Sequence, residues 1–155
     1  MRIPIPPDTR QWLALNGLVN PEVDLQNVRL HHGGPLTWYL AATRHGAITF
    51  GNHIFYRKRE RMEKRDLLVH ELVHVAQYRR IGMLRFHARY LRDALRSIRT
   101  TGKAYGRDLP LEKPAYDTQA LALKVIRGEA GVAMVTLPDI FGGAPPSPVD
   151  RPPMA

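Results

Sequence analysis

His70-Glu71-Leu72-Val73-His74 sets two imidazoles four residues apart, with a carboxylate next to the first. On a helix such imidazoles lie one turn above each other on one face, so both can grip a single ion. The carboxylate, about 100° further round, reaches a water held on that ion. Zinc with three protein ligands lowers the pKa of its water to about 7, and Glu71 is the base to take the proton. Chance places this five-residue pattern in roughly 1% of chains with this His and Glu content, so the motif is specific. Its flanks, Leu67 to Val69 with Val75 and Ala76, are uncharged. Three ionisable groups on a helix that apolar would be costly without a metal or tight pairing. The plainer reading is two core histidines beside a buried glutamate.

A third ligand is needed. Zincs held by a glycine three residues and a histidine six residues past the motif are excluded, because Gln77 and Arg80 stand there. Glu112 and His87 remain. Glu112 opens a helix in LPLEKPAYDTQA, on one face with Tyr116, Gln119 and Leu123, which turns its carboxylate inward. A glutamate there is also favoured by the helix dipole alone. His87 is the alternative metal ligand, on a separate helix beside a row of arginines. Glu112 is favoured, and both stay open. Tyr116, Tyr105 and His87 are candidates to donate a hydrogen bond to a tetrahedral intermediate, although each has an ordinary explanation as packing or surface.

The elements that must position these residues predict an α+β fold. VDLQNVRL (Val23–Leu30) alternates and is expected to be a strand. AITF-GN-HIFYR predicts a hairpin over Ala47–Arg57, with Gly51 supplying the positive φ that a two-residue turn needs. Helices are expected over about Met62–Arg80, Leu84–Thr101 and Leu111–Arg127, the last with Pro114 in its first turn. The middle one is amphipathic. Leu84, Ala88, Leu91, Leu95 and Ile98 repeat at 4,3,4,3, and Arg85, Arg89, Arg92, Arg96 and Arg99 follow one residue later. That cationic row could hold anionic lipid or nucleic acid, or be a solvated face.

The 155 residues carry a net charge of +9, and all of the excess falls between Arg57 and Lys103, around the motif. A single domain over residues 1–142 and a disordered Pro-rich tail over 143–155 are expected. No cysteine is present, which excludes disulfides and thiolate metal sites. The start has no signal-peptide pattern, and no apolar run is long enough to span a bilayer. The expectation is a soluble protein, cytoplasmic or exported without a cleaved signal.

VRLHHGGPLTWYLAATRHGAITFGNHIFYR, followed by LLVHELVHVAQYRR, resembles the HExxHxxQ metallopeptidase-type domain found in toxins and cargo proteins of bacterial extracellular contractile injection systems. The resemblance covers about residues 23–82, and LPLEKPAYDTQA looks like a segment of stand-alone relatives and of minimal gluzincins. It implies a zincin-like fold, a small antiparallel sheet packed on the motif helix and on a following glutamate helix. It also implies zinc on His70 and His74, Glu71 as base, and Gln77 as the motif's glutamine behind the ligands. In zincins the strand edging the cleft pairs with an extended peptide, and the Ala47–Arg57 hairpin is the candidate. The basic stretch RKRERMEKRD before the helix departs from the small, Pro/Gly-rich sequence usual there. The function expected is zinc-dependent peptide hydrolysis, with occlusion of the cleft by the N-terminal segment or the tail an open option. The alternative is a binding or delivery module with a structural zinc and a basic helix face.

Overall fold

Helix α3 (Arg65–Ile81) is buried without a break from Leu68 to Tyr78. It holds no glycine or proline, Asp66 lies in its first turn and Arg79 and Arg80 in its last, as the macrodipole favours. It ends at Gly82, whose φ of +77° lets the chain turn directly into the next helix. The computed structural model describes residues 2–42, 45–102, 106–107 and 109–130. The expected disorder of the tail and the candidate Tyr105 lie outside them.

Around α3 the chain is α+β. In order it forms β1 (Arg2–Pro4), α1 (Pro7–Leu15), β2 (Arg29–His32), α2 (Pro35–Ala42), β3 (Ala47–Phe50) and β4 (His53–Tyr56). A 3-10 turn (Arg59–Glu63) then leads to α3, followed by α4 (Met83–Thr101) and α5 (Lys113–Ile126). The four strands make one sheet in the order β1-β2-β4-β3. β3 and β4 are the expected hairpin, with Ala47 opposite Tyr56 and Phe50 opposite His53, and Gly51 in the turn has φ +57°. The sheet is mixed, however, because β2 runs parallel to β4. Chain that continues through α2 and β3 separates the two, which is the crossover a parallel pair needs.

Two differences from the sequence reading have clear causes. The strand expected over Val23–Leu30 starts only at Arg29. Before it, the side chains of Asn20 and Asp24 accept the backbone N–H groups of Glu22 and Gln26, both at 2.9 Å, and hold the segment in turns. Val23 and Val28 are still buried, so the alternation reported burial without a ladder. The second difference is β1, which the sequence reading did not anticipate; it pairs antiparallel with β2 at the sheet edge, where Pro4 is tolerated.

The sheet turns Leu30, Ala47, Thr49, Ile54 and Tyr56 inward, and β3 packs on α3. α5 covers another side of α3, with Ala115 and Ala122 fully buried. α4 contacts the body through Phe86, Tyr90 and Ala94, so the regular Leu84–Ile98 repeat faces outward. Among the described residues no helix is long and apolar enough to cross a membrane.

Candidate metal centre

α3 places His70 and His74 on one face, with ring centroids 5.1 Å apart. Glu112 comes to them from the turn before α5. Its N–H is held by the Leu109 carbonyl at 2.9 Å, and its own carbonyl accepts the Tyr116 N–H at 3.0 Å, so it opens the helix. The glutamate oxygens lie 3.5 Å from His70 Nε2 and 3.8 Å from His74 Nε2. These separations exceed a normal N–H···O bond of about 2.9 Å. They approach the roughly 3.3 Å edge of a tetrahedron with metal–ligand bonds of about 2.0–2.1 Å. Among the described residues His70, His74 and Glu112 form the one group of three such side chains whose ligand atoms lie within 4.8 Å of each other. Two imidazoles and a carboxylate are a donor set that fits a divalent metal.

The surroundings aim those atoms. Gln77, fully buried, places Oε1 2.8 Å from His74 Nδ1 and donates Nε2 to the Leu111 carbonyl, also at 2.8 Å. With Nδ1–H given to the glutamine, His74 Nε2 is left bare and faces Glu112. The same amide fixes the residue before Glu112. His70 Nδ1 is buried without a hydrogen-bond partner of good geometry, yet Gln119 stands beside the ring and favours its charged form. Gln119 is itself anchored to Asp66 at 2.9 Å.

Glu71 is 3% exposed and faces β3, where the Thr49 hydroxyl donates to its carboxylate at 2.7 Å. The Tyr78 hydroxyl donates to the Thr49 carbonyl at 3.1 Å, so Thr49 ties the hairpin to α3 through both its hydroxyl and its carbonyl.

The electrostatics call for a cation. Burial works against a charge on His70, but Glu112, with Glu71 behind it, outweighs burial and raises its pKa above the ordinary imidazole value. Burial likewise opposes ionisation of Glu112, and His70 and His74 more than offset it, so its carboxyl is held below the usual range. Positive charge is therefore favoured between these side chains, carried by a proton or by a metal ion.

Tyr116 sets its ring edge-on to His70 at 4.8 Å, with Arg107 over its other side at 5.1 Å. His87 does not join the group. It is exposed, its Nδ1 lies 2.9 Å from the Met83 carbonyl, and its ring stacks on Phe50. Tyr90 was not singled out from sequence, yet burial, followed by the neighbouring Glu112 carboxylate, raises its phenol well above the ordinary value. Its signal was the spacing Phe86–Tyr90–Ala94, masked by the more regular leucine repeat. Arg107, in the loop between α4 and α5, carried no signal.

Residues 20–82 match the eCIS core domain. The match links this segment to proteins of extracellular contractile injection systems, and it covers less than half of the chain. It takes in β2 to the end of α3, and so His70, Glu71, His74 and Gln77, but stops before Glu112. No curated protein and no solved structure matches the chain. Glu112, which completes the group of three, thus lies outside the family match.

Proposed function

We propose that this chain is a zincin-like metallopeptidase that hydrolyses peptide bonds, with zinc held by His70, His74 and Glu112. The observation that carries the proposal is the convergence of these three side chains next to a buried Glu71 that lies outside the ligand group. A zinc ion held there would supply Lewis acidity, polarising the scissile carbonyl and lowering the pKa of a water. Glu71 takes the proton of the attacking water and hands it to the leaving amine, and the Thr49 hydroxyl keeps its carboxylate oriented. β3 is at the sheet edge, so one side of its backbone is available for an extended peptide to pair with. Tyr116, beside His70, is suited to donate to the developing oxyanion, and Tyr90, beside Glu112, is a second phenol in the same place.

One observation favours a second reading, a binding or delivery module whose zinc is structural. Two clefts, one bordered by Ile3 and Met62 and one by Trp12 and Ile126, lie apart from His70, His74 and Glu112 and offer room for a partner. Retention of Glu71 favours the enzyme, since a structural site needs no base.

The deciding experiment compares the chain with Glu71→Gln on a peptide library, including N- and C-terminally truncated forms that relieve any occlusion of the cleft. The variant keeps the shape and the Thr49 contact but cannot take a proton. It should bind zinc normally and lose cleavage by about 10²–10⁴-fold. A wild type that cuts nothing the variant does not cut leaves only the second reading.

A further inference from the structure

α4 carries three stripes, and only one of them faces the body. Phe86, Tyr90 and Ala94 turn inward toward α3 and Glu112. Well around the helix from them, Leu84, Leu91, Leu95 and Ile98 are 86%, 61%, 48% and 44% exposed. Nearly four turns of aliphatic side chain, a strip about 21 Å long, are thus exposed to water. Globular domains rarely leave such a strip uncovered without a use for it.

The arginines occupy the third stripe, roughly 100° past the aliphatic one, with Arg85, Arg92, Arg96 and Arg99 exposed and Arg89 half-buried at its inner edge. Only Asp93 opposes them on this helix, and it is bonded to Arg92 at 2.9 Å. The charge selects what can lie against the strip. A second copy of the chain would bring arginines against arginines. Residues 131–155 carry two aspartates and one arginine, too little to match the row. Nucleic acid would satisfy the arginines but offers no apolar phase for the leucines. A bilayer with anionic headgroups satisfies both at once, with aliphatic side chains among the acyl chains and guanidinium groups on the phosphates.

We infer that α4 is an amphipathic anchor that lies in the surface of an anionic membrane, with Leu84, Leu91, Leu95 and Ile98 inserted and the arginine row on the lipid phosphates. The inward stripe stays on the body. The proposal is independent of any catalytic activity.

The test is flotation of the full chain with vesicles of phosphatidylcholine alone and of phosphatidylcholine mixed with phosphatidylglycerol. Binding is expected to the mixed vesicles and not to the neutral ones. Leu91→Ser/Leu95→Ser should weaken it by roughly tenfold or more, and Arg96→Gln/Arg99→Gln should weaken it and flatten its salt dependence. Both pairs are exposed, so circular dichroism should show the fold unchanged. Leu91→Trp should shift its emission to the blue on the mixed vesicles and be quenched by bromine-labelled acyl chains.

Binding that the serine variant retains in full would reduce the contact to charge alone and overturn insertion. Absence of vesicle binding alongside salt-sensitive binding to duplex DNA would overturn it in favour of nucleic acid. Sedimentation as a dimer that the serine variant breaks, without vesicle binding, would overturn it in favour of a second copy.

Discussion

Gln77 and His74 meet through Oε1 and Nδ1 at 2.8 Å, and the opposite end of the same amide holds the Leu111 carbonyl. One buried side chain therefore sets the tautomer of one candidate metal ligand and the position of the turn that delivers another, across 34 residues of sequence.

Replacing that amide should separate its two tasks. Gln77→Leu leaves the Leu111 carbonyl and His74 Nδ1 buried without partners, a loss of about 1–3 kcal/mol for each group. Metal affinity should fall by roughly 10–100-fold, the usual effect of removing a partner behind a ligand. Gln77→Glu keeps an acceptor for His74 but sets a carboxylate against the Leu111 carbonyl, so it should destabilise the turn and hold His74 better than leucine does. Melting of the metal-free protein and zinc competition against a chelator read the two effects separately. Full zinc affinity in Gln77→Leu would remove the glutamine from the centre.

Glu112 and His87 make opposite predictions for metal content. Glu112→Ala leaves two imidazoles and should lower zinc affinity by about 10²-fold or more, a loss comparable with that of a coordinating bond. His87→Ala should leave the metal in place, because the ring is exposed and packs on Phe50. Elemental analysis after dialysis decides. Loss of zinc in His87→Ala with retention in Glu112→Ala would move the third ligand to α4.

How far the sequence carried the site follows from these residues. His70, Glu71 and His74 are legible because a helix makes i and i+4 neighbours whatever the rest of the chain does. Glu112 was favoured from its place in LPLEKPAYDTQA, but deciding it over His87 needed the fold, since nothing in the spacing says that α5 packs on α3 with its N-cap at the level of the histidines. The hairpin was legible from Gly51, whose φ only a glycine takes readily. The parallel pairing of β2 with β4 was not, because strand order is decided by which faces the helices cover. The face of α4 was legible as amphipathic but not in its orientation. Two of its stripes are hydrophobic, and the shorter one, through Phe86 and Ala94, found the core.

Thr49 tests the second tie between sheet and helix. Its hydroxyl is 2.7 Å from the Glu71 carboxylate, and the residue is 4% exposed. Thr49→Val keeps the volume and the β propensity but removes the donor, leaving a buried carboxylate oxygen short of a partner. It should destabilise the fold by about 1–3 kcal/mol. Thr49→Ser retains the hydroxyl and should recover most of that loss. In Glu71→Ala the acceptor is gone, so adding Thr49→Val should be milder there than in the wild type, a coupling that a double-mutant cycle on unfolding would measure. Additive losses would mean that the hydroxyl contributes nothing through Glu71.

The last prediction concerns pH, with and without metal. In the metal-free chain the pKa of His70 is raised, because Glu112 and Glu71 outweigh its burial. The stability this contributes is fully present below the ordinary imidazole value of about 6.5. It is lost as pH rises through the raised folded-state value. Glu112 has the opposite sign. Its lowered pKa contributes stability that is present above the ordinary carboxylate value and is lost as pH falls through the lowered one. The metal-free protein should therefore hold its stability between those limits and lose some of it on the alkaline side of neutrality. Metal binding needs both imidazoles neutral, so its affinity should rise over that same alkaline range, with a proton released per ion where His70 is still charged. Melting curves recorded in chelator and in excess zinc from about pH 5 to pH 9 should diverge as pH rises. The chelated protein becomes less stable while the zinc-bound protein gains relative to it. Should the chelated protein instead gain stability through this range, His70 is not paired with Glu112 in the metal-free state, and the cation that the centre favours is the metal alone.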